Sequence, residues 1–111
     1  VMFFSDDGFY FEETNVKPKE IIDSAESFFN DELYIEALDQ LKYYFDLNED
    51  DYADYALFLK GQILEKNTIK KNIKESLACY KQIINNYPDS IYWDEAMNKA
   101  KYLERFYFTV R

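Results

Sequence analysis

The segment Tyr52–Ser90 decides the fold, and it reads YADYALFLKGQILEKNTIKKNIKESLACYKQIINNYPDS. Large apolar residues recur every three or four positions on both sides of a short polar connection, which predicts two helices. Small residues at Ala56, Gly61 and Ser76 let two helix backbones approach closely, so the helices are predicted to form a hairpin. Pro88 disfavours helical backbone in the residue before it, and this predicts the end of the second helix.

An internal repeat extends this pattern toward the C-terminus. The hexapeptide YWDEAM at 92–97 repeats YADYAL at 52–57, at an offset of 40 residues. A period in this range is typical of stacked helix pairs. The sequence therefore predicts a helix-hairpin solenoid.

Helical patterns also flank the central segment on both sides. Pro18 suits the first turn of a helix that runs to about residue 30, and a second apolar stripe predicts a helix over about 31–47. Asp50 or Asp51 is expected to cap a third helix that ends near Lys66. The spacing of Asn72 and Glu75 is that of a capping box, which opens the fourth helix. Asp89 or Ser90 is expected to cap a fifth helix, with a buried line at Trp93, Ala96, Met97, Ala100, Leu103 and Tyr107. The prediction is an all-α fold of about five helices over residues 17–111.

The two ends of the chain differ from this helical pattern. Residues 1–16 place aromatic residues around Ser5-Asp6-Asp7-Gly8, which predicts either an aromatic arm or a β-hairpin. The end at 106–110 is aromatic and β-prone, which leaves open whether the last helix continues there. Because the chain starts at Val1 rather than Met, we expect it to be part of a longer protein.

Composition argues against catalysis and nucleic-acid binding. The sequence has no histidine and one cysteine, so the commonest general base and any multi-cysteine zinc site are missing. Net charge is −9, with −13 over residues 1–58 and +4 over residues 59–111, and an acidic chain is repelled by phosphate backbones. The acidic run at 46–50 begins like a calcium loop, but Asp51 stands where that loop requires glycine. We therefore predict no enzyme activity, no cofactor and no metal. No apolar run reaches the roughly 18 residues of a membrane-spanning helix, so no span is predicted.

The repeat resembles the tetratricopeptide repeat, a helix pair with a small-residue pattern and a closing proline. Its small, aromatic and large positions correspond to Ala25, Phe28, Ala37 and Leu41 in the first pair, and to Gly61, Leu64, Ser76, Tyr80, Ile83 and Pro88 in the second. The amino-acid sequence of the repeat is most similar to repeats of bacterial envelope proteins, such as the outer-membrane assembly lipoprotein and the periplasmic cell-division coordinator. This resemblance covers about two and a half repeats and favours a periplasmic or membrane-associated location, with the cytoplasm left open. Three features depart from the family pattern: Glu49 near the first closing-proline position, a longer connection at 67–72, and Lys101 where glycine would fall.

The resemblance also implies a binding surface, because the family lines its concave face with the first helix of each pair. Mapped by position, the residues expected on that face are Ile22, Glu26, Phe29, Tyr55, Phe58, Gln62, Glu65, Asn98, Tyr102 and Arg105. The implied function is non-catalytic binding or scaffolding of another protein through an extended or helical segment. Self-association is the alternative, because two and a half repeats leave apolar ends.

A separate basic patch surrounds the longer connection, at Lys66, Lys70, Lys71 and Lys74. Either a solvated turn, an anionic lipid headgroup or an acidic protein would suit it.

Overall fold

A computed structural model describes residues 17–108, and these residues form five α-helices followed by one π-helical turn. The helices are α1 Pro18–Asn30, α2 Tyr34–Asp46, α3 Ala53–Glu65, α4 Ile73–Asn86 and α5 Trp93–Leu103, and the π-helical turn is Glu104–Phe108. This confirms the predicted all-α, helix-hairpin architecture. The arm or hairpin expected at 1–16, and residues 109–111, lie outside the described residues.

Two helix hairpins, α1–α2 and α3–α4, pack against each other through α3. α1 packs on α2, α3 packs on α4, and α5 then packs on α4. Eight of the 13 residues of α3 are buried, which is the pattern of a helix covered on more than one side. One side of α3 packs against α1 and α2 through Ala56, Leu59 and Ile63. The other side packs against α4 and α5 through Leu57, Phe58 and Leu64.

The α3–α4 hairpin crosses closely at Gly61, as the small-residue pattern predicts. The Ser76 hydroxyl donates a hydrogen bond to the Gly61 carbonyl across the two helices, at 2.7 Å. A methyl group on Gly61 would lie 2.7 Å from Cε1 of the Tyr80 ring, closer than real side chains come. The crossing therefore requires glycine at this position. Ala37 is also fully buried, in the cluster formed by α1, α2 and α3.

The helix starts match the predictions in part. The Glu75 N–H donates to the Asn72 side chain at 2.9 Å, which confirms that Asn72 caps α4. The cap expected for α3 at Asp50 or Asp51 is wrong, because the structure places it at Tyr52, which has φ 66° and no side-chain cap. The Tyr44 hydroxyl donates to the Asp51 carbonyl, which ties this connection to α2.

The last helix starts later than expected and ends differently. α5 is capped at Tyr92 rather than at Asp89 or Ser90, although the Ser90 hydroxyl accepts the Tyr92 N–H at 3.0 Å. Of the predicted buried line, Ala96, Ala100 and Leu103 are buried, Trp93 and Met97 are half-buried, and Tyr107 is exposed. The helical path continues through Phe108 as a π-helical turn. Within residues 17–108, no helix combines the length and the apolar character that crossing a membrane requires.

Candidate protein-binding face

The structure brings α1, α3 and α5 together along one side of the helices, and we call this side the α1–α3–α5 face. Glu26 of α1 acts electrostatically on the Tyr55 hydroxyl of α3. The Tyr55 ring contacts the ring of Tyr92, at the start of α5, with centroids 5.3 Å apart. Farther along, Lys99 of α5 forms a salt bridge with Glu65 of α3 at 3.2 Å. Glu26 of α1 and Tyr55 of α3, both assigned to the face, are therefore neighbours, and α5 reaches α3 through Tyr92 and Lys99, which are not among the ten predicted residues.

The ten predicted face residues differ in their exposure. Four are exposed, namely Glu26, Asn98, Tyr102 and Arg105, and four are half-buried, namely Phe29, Tyr55, Gln62 and Glu65. Two are buried: Ile22 is 3% exposed and Phe58 is 6% exposed. The structure thus corrects the expectation that Ile22 and Phe58 offer surface to a partner, since their side chains belong to the hydrophobic core.

Phe58 is buried because aromatic rings from two other elements enclose it. The Tyr92 ring stacks on Phe58 with centroids 5.1 Å apart. The Tyr80 ring of α4 meets Phe58 edge-on at 6.0 Å. Helical periodicity places Phe58 on the same side of α3 as Tyr55. It cannot show that an aromatic ring from a later connection covers Phe58.

Two lysines that were not predicted on this face contact residues that were. Lys99 bridges α5 to α3 through Glu65. The Lys66 ammonium lies 5.7 Å from the centroid of the Phe29 ring and 5.6 Å from that of Tyr34, within cation–π range. The spacing of apolar residues gives no signal for either contact, although Lys66 belongs to the basic patch noted in the sequence. Tyr92 carries a signal that could have found it, since it opens the repeated hexapeptide.

Glu65 lies at the centre of a polar network that links α3, α4 and α5. The Tyr80 hydroxyl donates to the Glu65 carboxylate from one side, and Lys99 pairs with the same carboxylate from the other. Burial raises the pKa of Tyr80, and the neighbouring Glu65 carboxylate raises it further. All three groups have partners, so the network stabilises the helix arrangement.

A concavity lies between α2 and α4, and none of the ten predicted face residues lines it. It has a volume of about 670 Å³, and its lining is mixed: Leu41, Phe45 and Leu64 are apolar, whereas Asp39, Lys70 and Glu75 are charged. Lys60 crosses it, lying 5.4 Å from the Phe45 ring centroid and 3.0 Å from the Glu75 carboxylate. These contacts hold the lysine between the two hairpins.

The described part of the chain offers little reactive chemistry. In residues 17–108, acidic, cysteine and histidine side chains do not group in the threes that would hold a metal ion. Cys79 is 3% exposed, and burial raises the pKa of its thiol to about 11. At neutral pH that thiol is protonated and enclosed, whereas nucleophilic cysteines are partly exposed thiolates.

Comparison with known proteins identifies relatives in two spirochaetes. An uncharacterized protein of Treponema pallidum is 35% identical over 57 residues, and one of Borreliella burgdorferi is 32% identical over 56 residues. The aligned parts cover 51% and 50% of this chain but only 11% and 16% of those proteins. The chain therefore corresponds to a small part of longer relatives. No protein-family model matches it, and no solved structure matches it.

Proposed function

We propose that this chain is a non-catalytic protein-binding or scaffolding module of the tetratricopeptide type in a bacterial cell envelope. In this proposal it docks an extended or helical segment of another protein on the α1–α3–α5 face. The observation that carries the proposal is the row of accessible aromatic and polar side chains that runs across three helices. Phe29, Tyr55 and Tyr102 supply rings along this row, and Glu26 and Gln62 supply polar groups beside them.

The chemistry of the row suits a protein partner better than a small substrate. Tyrosine offers a large apolar ring with a polar end, and it is enriched in protein interfaces for that reason. Burial raises the pKa of Tyr55 to about 12, and Glu26 adds to the effect. Tyr55 is neutral at physiological pH, and its hydroxyl interacts with Glu26 across α1 and α3.

The charge at one end of the row favours one orientation of the partner. Glu26 is exposed at the α1 end, where it can meet a basic residue, and the uncharged Asn98 is exposed on α5. Complementary charges fix the register of an interface more than they raise its affinity. We expect the bound segment to carry basic residues near α1.

The envelope location and the repeat type are supported by the resemblance of the sequence and by the bacterial source of the relatives. The crossings at Gly61 and Ala37 have the close packing that small residues in such repeats provide. The absence of histidine from the sequence supports a non-catalytic role.

Site-specific photo-crosslinking in the cells that make the protein tests the docking face. A photoreactive phenylalanine analogue replaces Tyr102 in one variant and Gln62 in another, and it replaces the exposed Ala78 of α4 in a control. We expect the first two variants to capture the same partner and the control to capture none. Capture of that partner at Ala78 alone would place the docking surface elsewhere.

Self-association is the second candidate, and a different surface favours it. The rings of Phe106, Tyr107 and Phe108 are 65%, 50% and 42% exposed at the end of the chain that the structure describes. Exposed apolar clusters of this kind mark association sites. Light scattering during size exclusion measures the oligomeric state, and Phe106→Asp should convert an oligomer to a monomer if this cluster forms it. In the crosslinking experiment, self-association would give only products between copies of this chain.

A further inference from the structure

The connection between α3 and α4 presents an apolar side chain at its tip. Ile69 is 92% exposed, the highest value among the exposed large hydrophobic residues of the described chain. The lysines that surround it in sequence, Lys70, Lys71 and Lys74, are also exposed. An isoleucine that is almost fully exposed contributes little to the core, and here it forms an apolar tip beside three exposed lysines.

Hydrogen bonds hold this connection in a defined shape. The Thr68 hydroxyl accepts the Lys70 N–H at 3.0 Å, and the Thr68 carbonyl accepts the Lys71 N–H at 3.1 Å. The Asn72 N–H then donates to the Leu64 carbonyl at 2.9 Å, which ties the connection to the end of α3. Because the backbone is already ordered, little conformational entropy is lost when the tip binds something.

The lysines beside the tip keep their charge available. Within residues 17–108, Lys70, Lys71 and Lys74 take part in none of the ion pairs, which involve other lysines. The acidic side chain at the start of α4, Glu75, is paired with Lys60. The tip therefore combines one protruding apolar side chain with three positive charges.

We propose that this connection, 66–72 with Lys74, is a contact site for an anionic lipid surface. A protein interface needs about 800 Å² of matched surface on each partner, and a single protruding isoleucine does not provide such an area. A bilayer adapts to a convex tip: the apolar side chain enters the interface while lysines stay at the level of the headgroups. Each lysine near an anionic membrane strengthens binding about fivefold.

The overall charge of −9 does not cancel this attraction when the tip faces the membrane. Charges farther from the surface than about 8 Å are largely screened at physiological ionic strength. The acidic residues that line the same concavity as Ile69 and Lys70 are Asp39, Asp46 and Glu75, of which Asp46 pairs with Lys42 and Glu75 with Lys60. The proposed binding is therefore weak and sensitive to salt.

Vesicle sedimentation tests the proposal with the wild-type chain. We expect it to bind vesicles of mixed phosphatidylglycerol and phosphatidylcholine, to release them at high salt, and not to bind vesicles of phosphatidylcholine alone. Equal binding to both vesicles, or binding to neither, would overturn the proposal. Binding to an acidic polypeptide with no binding to vesicles would assign the patch to an acidic protein instead.

Two variants and a matched control locate the contact. We expect the double variant Lys70→Glu, Lys71→Glu to weaken vesicle binding at least about 25-fold, and Ile69→Ser to weaken it about tenfold. The control is Ile91→Ser, because Ile91 is 85% exposed but stands between Asp89 and Asp94. It should bind like the wild type, and an equal loss in the control would contradict the assignment. All four positions are exposed, so circular dichroism should show every variant folded.

Discussion

Replacing Gly61 with alanine tests the packing of the α3–α4 hairpin, because two physical effects predict opposite results. Glycine in the middle of a helix is less favourable than alanine by about 1 kcal/mol. Helix propensity alone therefore predicts that Gly61→Ala stabilises the protein. The structure predicts the reverse, because the added methyl group would lie 2.7 Å from Cε1 and 2.8 Å from Cζ of the Tyr80 ring.

The Tyr80 ring has little freedom to move away. It is fully buried, meets Phe58 edge-on, and donates its hydroxyl hydrogen to Glu65. Moving the backbone instead would strain the Ser76 hydrogen bond to the Gly61 carbonyl. Overpacking of a tight core costs about 1–3 kcal/mol. After the gain in helix propensity, we expect a net loss of up to about 2 kcal/mol in the free energy of unfolding.

Urea unfolding followed by circular dichroism measures this loss, and a double-mutant cycle identifies its cause. In the background of Tyr80→Leu, which removes the ring, Gly61→Ala should be neutral or stabilising. The coupling energy should then reach about 1–3 kcal/mol, the range for residues in direct contact. If Gly61→Ala raised stability in the wild-type background, the close crossing would be refuted. An equal loss in both backgrounds would show that Tyr80 is not the obstacle.

Four further predictions concern the core and its titratable groups. Ala37→Leu should cost about 1–3 kcal/mol by overpacking the first hairpin, and an unchanged melting temperature would contradict the burial of Ala37. Phe58→Ala should lower the free energy of unfolding by about 3–5 kcal/mol, as loss of a core side chain does, and urea unfolding measures this. A variant as stable as the wild type would show that Phe58 belongs to the binding face. Burial raises the pKa of Tyr44 and Tyr55 to about 12. The folded state therefore holds these protons more tightly than the unfolded chain does. Between pH 10 and 12 the free energy of unfolding should fall by up to about 1.4 kcal/mol per pH unit for each tyrosine, measured as a shift of the urea midpoint. Cys79 should react with a thiol reagent only as fast as the protein unfolds, and rapid labelling of the native protein would show that its thiol is accessible.

The helices were predictable because their signals are local in sequence. The apolar spacing of each segment, Pro18 in the first turn and the pair Asn72 and Glu75 all act within a few residues, and the structure has them as expected. The start of α3 was not predictable in this way. The chain before α3 is held by a hydrogen bond from the Tyr44 hydroxyl to the Asp51 carbonyl, and a sequence pattern cannot show that a side chain in one helix binds a later backbone group.

The candidate face was predictable as a set of helices but not as a set of side chains. The resemblance assigned the first helix of each pair to one face, and the salt bridge between Glu65 and Lys99 shows that α3 and α5 are neighbours. Whether a given side chain is accessible depends on which residues from other parts of the chain pack against it. The ring of Tyr92, in the α4–α5 connection, covers Phe58, whereas Tyr55 is only half-buried beside the same ring.

Both proposed surfaces depend on α3, and this lets their failures be distinguished. Tyr55 and Gln62 lie along the helix, whereas Ile69 follows its end and is held there by the bond from Asn72 to the Leu64 carbonyl. Because Ile69 is almost fully exposed, changing it removes no core contact and should leave the α1–α3–α5 face intact. Changing Tyr55 alters the face without touching the lysines of the tip. If one protein partner required both Tyr55 and Ile69, the tip would belong to the same protein interface, and lipid binding by the isolated chain would then be absent.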